Sequence, residues 1–122
     1  MQYLLLIYHN ELDWENLSPT QQSTIYQEYR DLIQRLAATG KYIAGDELKP
    51  TTTATTVRLR DGRQTITDGP FAETKEQLAG YFLVNARDLD EAIAIAALIP
   101  SARDGSIEIR PVAVQEQAKQ AS

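Results

Sequence analysis

Residues 2–8, QYLLLIY, form a near-continuous apolar run, the pattern of a strand covered on both faces. Polarity then rises at once. In NLSPTQQ, Ser18 stands where a helix N-cap belongs, Pro19 takes the first helical position, and Gln21 has the spacing of a capping box. The helix predicted from this start carries Ile25, Tyr29, Leu32, Ile33 and Leu36 on one stripe. Gly40 closes it as a left-handed cap, and a short strand, KYIAG, follows at 41–45. Before the helix, HNE at residues 9–11 reads as the start of a loop.

Over residues 54–67, ATTVRLRDGRQTIT, β-branched and polar positions alternate on both sides of Asp61-Gly62, which fits a two-residue turn with positive φ. That register places Val57 opposite Ile66. Residues 79–86, AGYFLVNA, are a second near-continuous apolar strand. Asp88 caps a second helix with Glu91 as its reciprocal partner, and Pro100 stops it. Residues 106–112, SIEIRPV, alternate like an edge strand. A single domain therefore spans 1–114, followed by a polar tail, QEQAKQAS, at 115–122 that is expected to fray.

The order β-α-β, hairpin, β-α-β predicts an α+β fold: a ferredoxin-like split βαβ sandwich with an inserted β-hairpin and both helices on one face of an antiparallel sheet. The first and third core strands, the two most apolar, are central in that arrangement. On the first strand the alternating sets are Tyr3, Leu5, Ile7 and Leu4, Leu6, Tyr8, and both are large and apolar. Burying one leucine is worth about 1.5–3 kcal/mol. The face without helices therefore needs a cover, and a two-fold related copy of the same sheet supplies it most simply, giving a homodimer. A hairpin or tail folded back over the face is the alternative.

Composition narrows the chemistry. The 122 residues include no cysteine, which excludes disulfides and thiolate sites, and a single histidine, His9, which argues against a transition-metal centre. No metal is expected. No P-loop, dinucleotide fingerprint or Ser-His-Asp motif is present, so no organic cofactor is expected either. A net charge of −5 disfavours nucleic acid or an anionic membrane as partner. The N-terminus lacks a signal-peptide pattern, and its apolar run is far short of the roughly 20 residues that span a bilayer, which predicts a cytoplasmic protein.

The stretch TDGPFAETKEQLAGYF, residues 67–82, packs a turn, a charge cluster and an aromatic strand start together. Gly69 precedes Pro70 and takes either extended geometry or positive φ. Asp68 can accept from the Phe71 N–H, and Thr74 with Gln77 has the spacing of a capped single helical turn. The result is an elbow presenting Phe71, Glu73, Lys75 and Glu76, which either aims the next strand or lines a site. As a site, Asp68 and His9 are the catalytic candidates: burial could make the Asp68 carboxyl a general base, and histidine is a side chain that can act as acid or base. Phe71, Glu73 and Lys75 would contact a ligand, with Tyr26, Tyr29 and Tyr81 lining a pocket or the core.

The DGPF-E-K-E core from Asp68 to Glu76, with ATTVRLRDG before it and MQYLLLIYHNE at the start, closely resembles DGPF-domain proteins of the YCII-related family, from Met1 to Val112. The resemblance implies a ferredoxin-like, dimeric α/β-barrel fold and a largely undefined function. Some YCII-like relatives are implicated in small-molecule chemistry such as dehydrochlorination, and DGPF proteins are often linked with extracytoplasmic-function sigma factors. YCII-type proteins carry a His–Asp pair with the histidine on the first helix; here PTQQSTIYQEYRDLIQRLAATG has none, and Tyr26 and Tyr29 are its nearest polar-tipped side chains. Two functions follow as expectations: a small-molecule site in a cofactor-independent cleft, or a non-catalytic interaction module accessory to sigma-factor-linked regulation.

Overall fold

The computed structural model describes residues 1–114; the tail at 115–122 lies outside the described residues. The chain runs β1 (Gln2–His9), α1 (Glu11–Glu15), α2 (Pro19–Ala38), β2 (Tyr42–Glu47), β3 (Thr55–Arg60), β4 (Arg63–Asp68), β5 (Gln77–Asn85), α3 (Leu89–Leu98) and β6 (Ser106–Pro111). It is a mixed α+β fold with antiparallel sheets and, among the described residues, three α-helices. The larger sheet has the order β2-β5-β1-β6, so the two most apolar segments are its central strands. β3 and β4 form a separate two-stranded sheet.

Local signals account for the element ends. The Ser18 hydroxyl accepts from the Gln21 N–H while the Gln21 side chain accepts from the Ser18 N–H, closing the capping box. Gly40 takes φ 72°, the left-handed cap that glycine adopts without a Cβ clash. At α3 the Asp88 carboxylate accepts from the Glu91 N–H, but the Glu91 carboxylate accepts from Arg87 N–H rather than from the cap itself. It also pairs with Arg87 and Lys41. Asp61 and Gly62 have φ 51° and 75°, and Val57 pairs with Ile66, as the hairpin pattern requires.

The core lies between one face of the large sheet and the helices. Tyr3, Leu5 and Ile7 of β1 and Phe82 and Val84 of β5 pack with Leu32 and Leu36 of α2 and with Ala92, Ile95 and Ala96 of α3. The opposite face carries Leu4, Leu6 and Leu83, all half-buried, flanked by Tyr8 and Tyr81. The hydroxyl of Tyr8 donates to Glu108 and that of Tyr81 to Asp46, so each ring lies over apolar neighbours while its tip stays bonded.

Two expectations are corrected. HNE begins no loop: Asn10 caps the short helix α1, its side-chain oxygen accepting from Asp13 N–H at 3.1 Å. That helix buries no residue of its own, so no apolar stripe announced it. Conversely, Thr74 and Gln77 cap no helical turn. The Gln77 amide donates to the Thr74 carbonyl at 2.6 Å and the Thr74 hydroxyl to the Glu76 carbonyl, so both side chains hold carbonyls of a bend instead of the N–H groups of a helix start. Among the described residues no helix is long and apolar enough to cross a membrane.

Candidate functional site

Two glycines of the sheet line the cleft. Along the helix-facing side of β5, Val84 and Phe82 are followed by Gly80, and Gly80 pairs with Ile7 on one side and Glu47 on the other. Gly45 of β2, paired with Phe82, continues the same row. Neither glycine tolerates a Cβ. One on Gly80 would lie 2.6 Å from the Asp46 carbonyl oxygen, and one on Gly45 would lie 2.6 Å from the Tyr42 hydroxyl and 2.8 Å from the Tyr81 carbonyl oxygen. Both glycines let neighbouring strand atoms approach closely, and they line a cavity of about 240 Å³ between sheet and helix.

Its floor is apolar, formed by Ile7, Phe82, Ile25 and Ile33. A wider hollow of about 410 Å³ shares His9, Trp14, Tyr26, Glu47 and Ala79 with it and extends to Glu11, Glu15 and Lys49. A small third hollow of about 90 Å³ also touches His9 and Trp14. The one tryptophan of the chain thus borders all three.

The polar groups are fixed by specific bonds. The His9 ring stacks on Trp14 with centroids 5.8 Å apart and planes 10° apart. Tyr26 meets Trp14 edge-on, at 5.4 Å and 86°, making a corner of two aromatic walls. The Tyr26 hydroxyl donates to Glu47 Oε2 at 2.7 Å; burial and this carboxylate push its pKa up to about 12, so the hydroxyl stays a neutral donor. Deeper in, the hydroxyls of Tyr29 and Ser101 share a bond of 2.7 Å. Burial pushes the Tyr29 pKa up, against the opposing pull of Ser101.

Helix α1 holds Trp14 in place. Asn10 Nδ2 donates to the Lys75 carbonyl, Glu11 N–H donates to Gln77 Oε1, and the Glu11 carboxylate accepts from the Thr51 N–H and hydroxyl at 2.7 and 2.6 Å. These bonds tie the helix to the segment entering β5 and to the one leaving β2.

The structure brings His9, Tyr26 and Tyr29 together in this cleft and separates them from the other sequence candidates. Tyr81 belongs to the opposite sheet face, bonded to Asp46. Asp68 ends β4 exposed, and among the described residues its carboxylate meets no donor, the Phe71 N–H included. Phe71 is 79% exposed, its ring 5.6 Å from the Arg58 guanidinium carbon. Glu73 and Lys75 are exposed on the elbow. None of Asp68, Phe71, Glu73 and Lys75 borders any of the three hollows. What the elbow does hold is backbone: Gly69 takes φ 105°, its N–H donates to the Ala54 carbonyl and its carbonyl accepts from the Thr56 hydroxyl, fastening both ends of the hairpin.

Sequence reasoning missed Trp14, Glu47 and the pair Gly45 and Gly80. The strand pattern offered one usable signal, since glycine inside an otherwise continuous apolar strand marks a close approach or a gap.

The YCII-related domain model matches residues 1–116. An uncharacterized protein of Rhizobium meliloti (strain 1021) is 35% identical over 116 residues, covering 93% of this chain and 94% of that protein.

Proposed function

The chain belongs to the YCII-related domain family, and on that premise we propose that it binds or transforms a small organic molecule in the cleft between α2 and the sheet, without a metal or organic cofactor. The observation that carries this reading is the cavity of about 240 Å³ between sheet and α2, its apolar lining meeting a bonded set of polar groups at its mouth. His9, Tyr26 and Tyr29 are the groups available there to move or donate a proton. The fold reading extends to a ferredoxin-like domain, supported by the order β2-β5-β1-β6. Pairing of two copies through Leu4, Leu6 and Leu83 would make a dimeric barrel of the DGPF type.

Trp14 gives the test. Its fluorescence reports occupancy directly, and a screen of small amphipathic molecules should find compounds that shift its emission saturably. Gly80→Ala, which intrudes on the strand pair lining the cavity, should abolish the response in whatever fraction remains folded. Saturable binding that leaves Trp14 emission unchanged would place the site elsewhere.

A second reading, the interaction module accessory to transcriptional regulation, draws on the hairpin: Val57, Leu59 and Ile66 share one face and are 59–67% exposed. In that case Asp68, Phe71, Glu73 and Lys75 would serve a protein contact, and substitutions there would change partner binding while leaving the Trp14 response intact.

A further inference from the structure

We infer that the ligand of the cleft is an organic cation, an ammonium group on a small apolar body; this deepens the cleft reading above and rests on it. The apolar floor selects the body. A volume of about 240 Å³ corresponds to roughly eight water-sized units of about 30 Å³ each, enough for a short alkyl chain or a single ring.

The charge follows from the mouth. Glu47 stands at the Tyr26 end of the aromatic corner, and Tyr26 offers its carboxylate a neutral hydroxyl, which bonds the charge without cancelling it. Among the described residues Glu47 enters no ion pair. Glu11 and Glu15 add negative charge to the wider hollow, Glu11 already held by Thr51. The opposing cations are Arg30 and Lys49. Arg30 donates to Gln27 at 2.8 Å, and Gln27 in turn to Asp31, a chain of exposed residues along α2. Lys49 is exposed at the outer rim. An anion would therefore approach four carboxylates, Glu11, Glu15, Asp46 and Glu47, against Arg30 and Lys49, and a neutral ligand would leave Glu47 compensated by solvent alone. A cation neutralises Glu47 and meets the aromatic walls of Trp14 and Tyr26, whose ring quadrupoles favour positive charge.

The test is a matched series, hexylammonium, 1-hexanol and hexanoate, titrated against the full chain by Trp14 fluorescence at neutral pH. Hexylammonium should bind about tenfold more tightly than hexanol, with hexanoate weakest. Raised salt should narrow the gap by screening the charge. Glu47→Gln keeps an acceptor for the Tyr26 hydroxyl, so it should fold normally and erase the ammonium preference, hexylammonium falling to the affinity of hexanol. Hexanoate binding as tightly as hexylammonium, or a preference that survives Glu47→Gln, overturns the cation assignment while hexanol binding upholds the cleft. Failure of all three to alter Trp14 emission overturns both.

Discussion

Strand β5 and the hairpin β3–β4 are written in similar letters and behave in opposite ways. β5 pairs on both edges and buries Gly80, Phe82 and Val84 against the helices. The hairpin has the right turn, the right register and a β-branched pair in Val57 and Ile66, yet buries no residue. Local pattern and turn chemistry are enough to pair two strands. They do not decide whether a face finds a partner, which depends on what the rest of the chain brings to it. The same contrast holds for sites. The conspicuous elbow sits with the hairpin, where side chains point to solvent, and the cleft sits in the body, between α2 and the large sheet.

The largest difference between the regions should appear on truncation. Leu5 is fully buried and should lose about 2–5 kcal/mol as Leu5→Ala, whereas Ile66→Ala, at 60% exposure, should stay within about 0.5 kcal/mol. Urea denaturation of both variants measures this. Comparable losses would mean that the hairpin face is covered in solution, and so would erase the comparison.

Next comes Gly80→Ala. Its Cβ would press on the Asp46 carbonyl of the neighbouring strand, and moving backbone to accommodate it should cost about 1–3 kcal/mol. Thermal melts would show this, and an unchanged melting temperature would mean that β2 and β5 yield easily there.

The fold was largely legible because its signals are local and redundant: a capping box at Ser18, Asp88 before α3, Asp61-Gly62 in the hairpin, and two apolar runs that became the central strands. The site was not legible in the same way. His9, Tyr26 and Tyr29 were identifiable as chemistry-bearing types, but nothing local ties Tyr26 to Glu47, 21 residues on, or sets Trp14 against both. A motif advertises neighbours in sequence, and this cavity is lined by residues from β1, α1, α2, β2 and β5 that only the fold brings together. The DGPF elbow drew attention for the opposite reason, since its unusual residues answer a backbone demand.

That demand is measurable. Gly69 has open space around it, so a side chain there would clash with nothing, and any loss in Gly69→Val comes from φ 105° alone. A β-branched residue held at such a φ should cost about 1–3 kcal/mol, or release the hairpin from Ala54 to avoid the strain. Hydrogen exchange at Gly69 and Thr56 would separate these outcomes. An unchanged melting temperature with unchanged protection would argue against a backbone role for the elbow.

The smallest effect reads the body alone, because all six tyrosines lie outside residues 54–76. The Tyr26 pKa is raised from 10.0 to about 12, chiefly by burial and then by the Glu47 carboxylate. Between those values the unfolded chain has released the Tyr26 proton and the folded chain still holds it. The unfolded state then binds fewer protons, so stability must fall as pH rises from about 10 to about 12, and is unaffected by this group below 10. Tyr26 is 37% exposed, and solvent screening keeps the effect modest. Tyr8, Tyr29, Tyr42 and Tyr81 are also raised and contribute to the same slope, so the measurement has to be a difference. Urea midpoints of the wild-type chain and Tyr26→Phe should run parallel up to pH 10 and converge or cross above it, the wild type losing more. In Glu47→Gln the decline should still begin near pH 10 but end at lower pH and be smaller, without disappearing, since burial is the larger cause. Curves that stay parallel to pH 12 would mean that Tyr26 is solvated and free of Glu47, and that the aromatic corner of the cleft is open in solution.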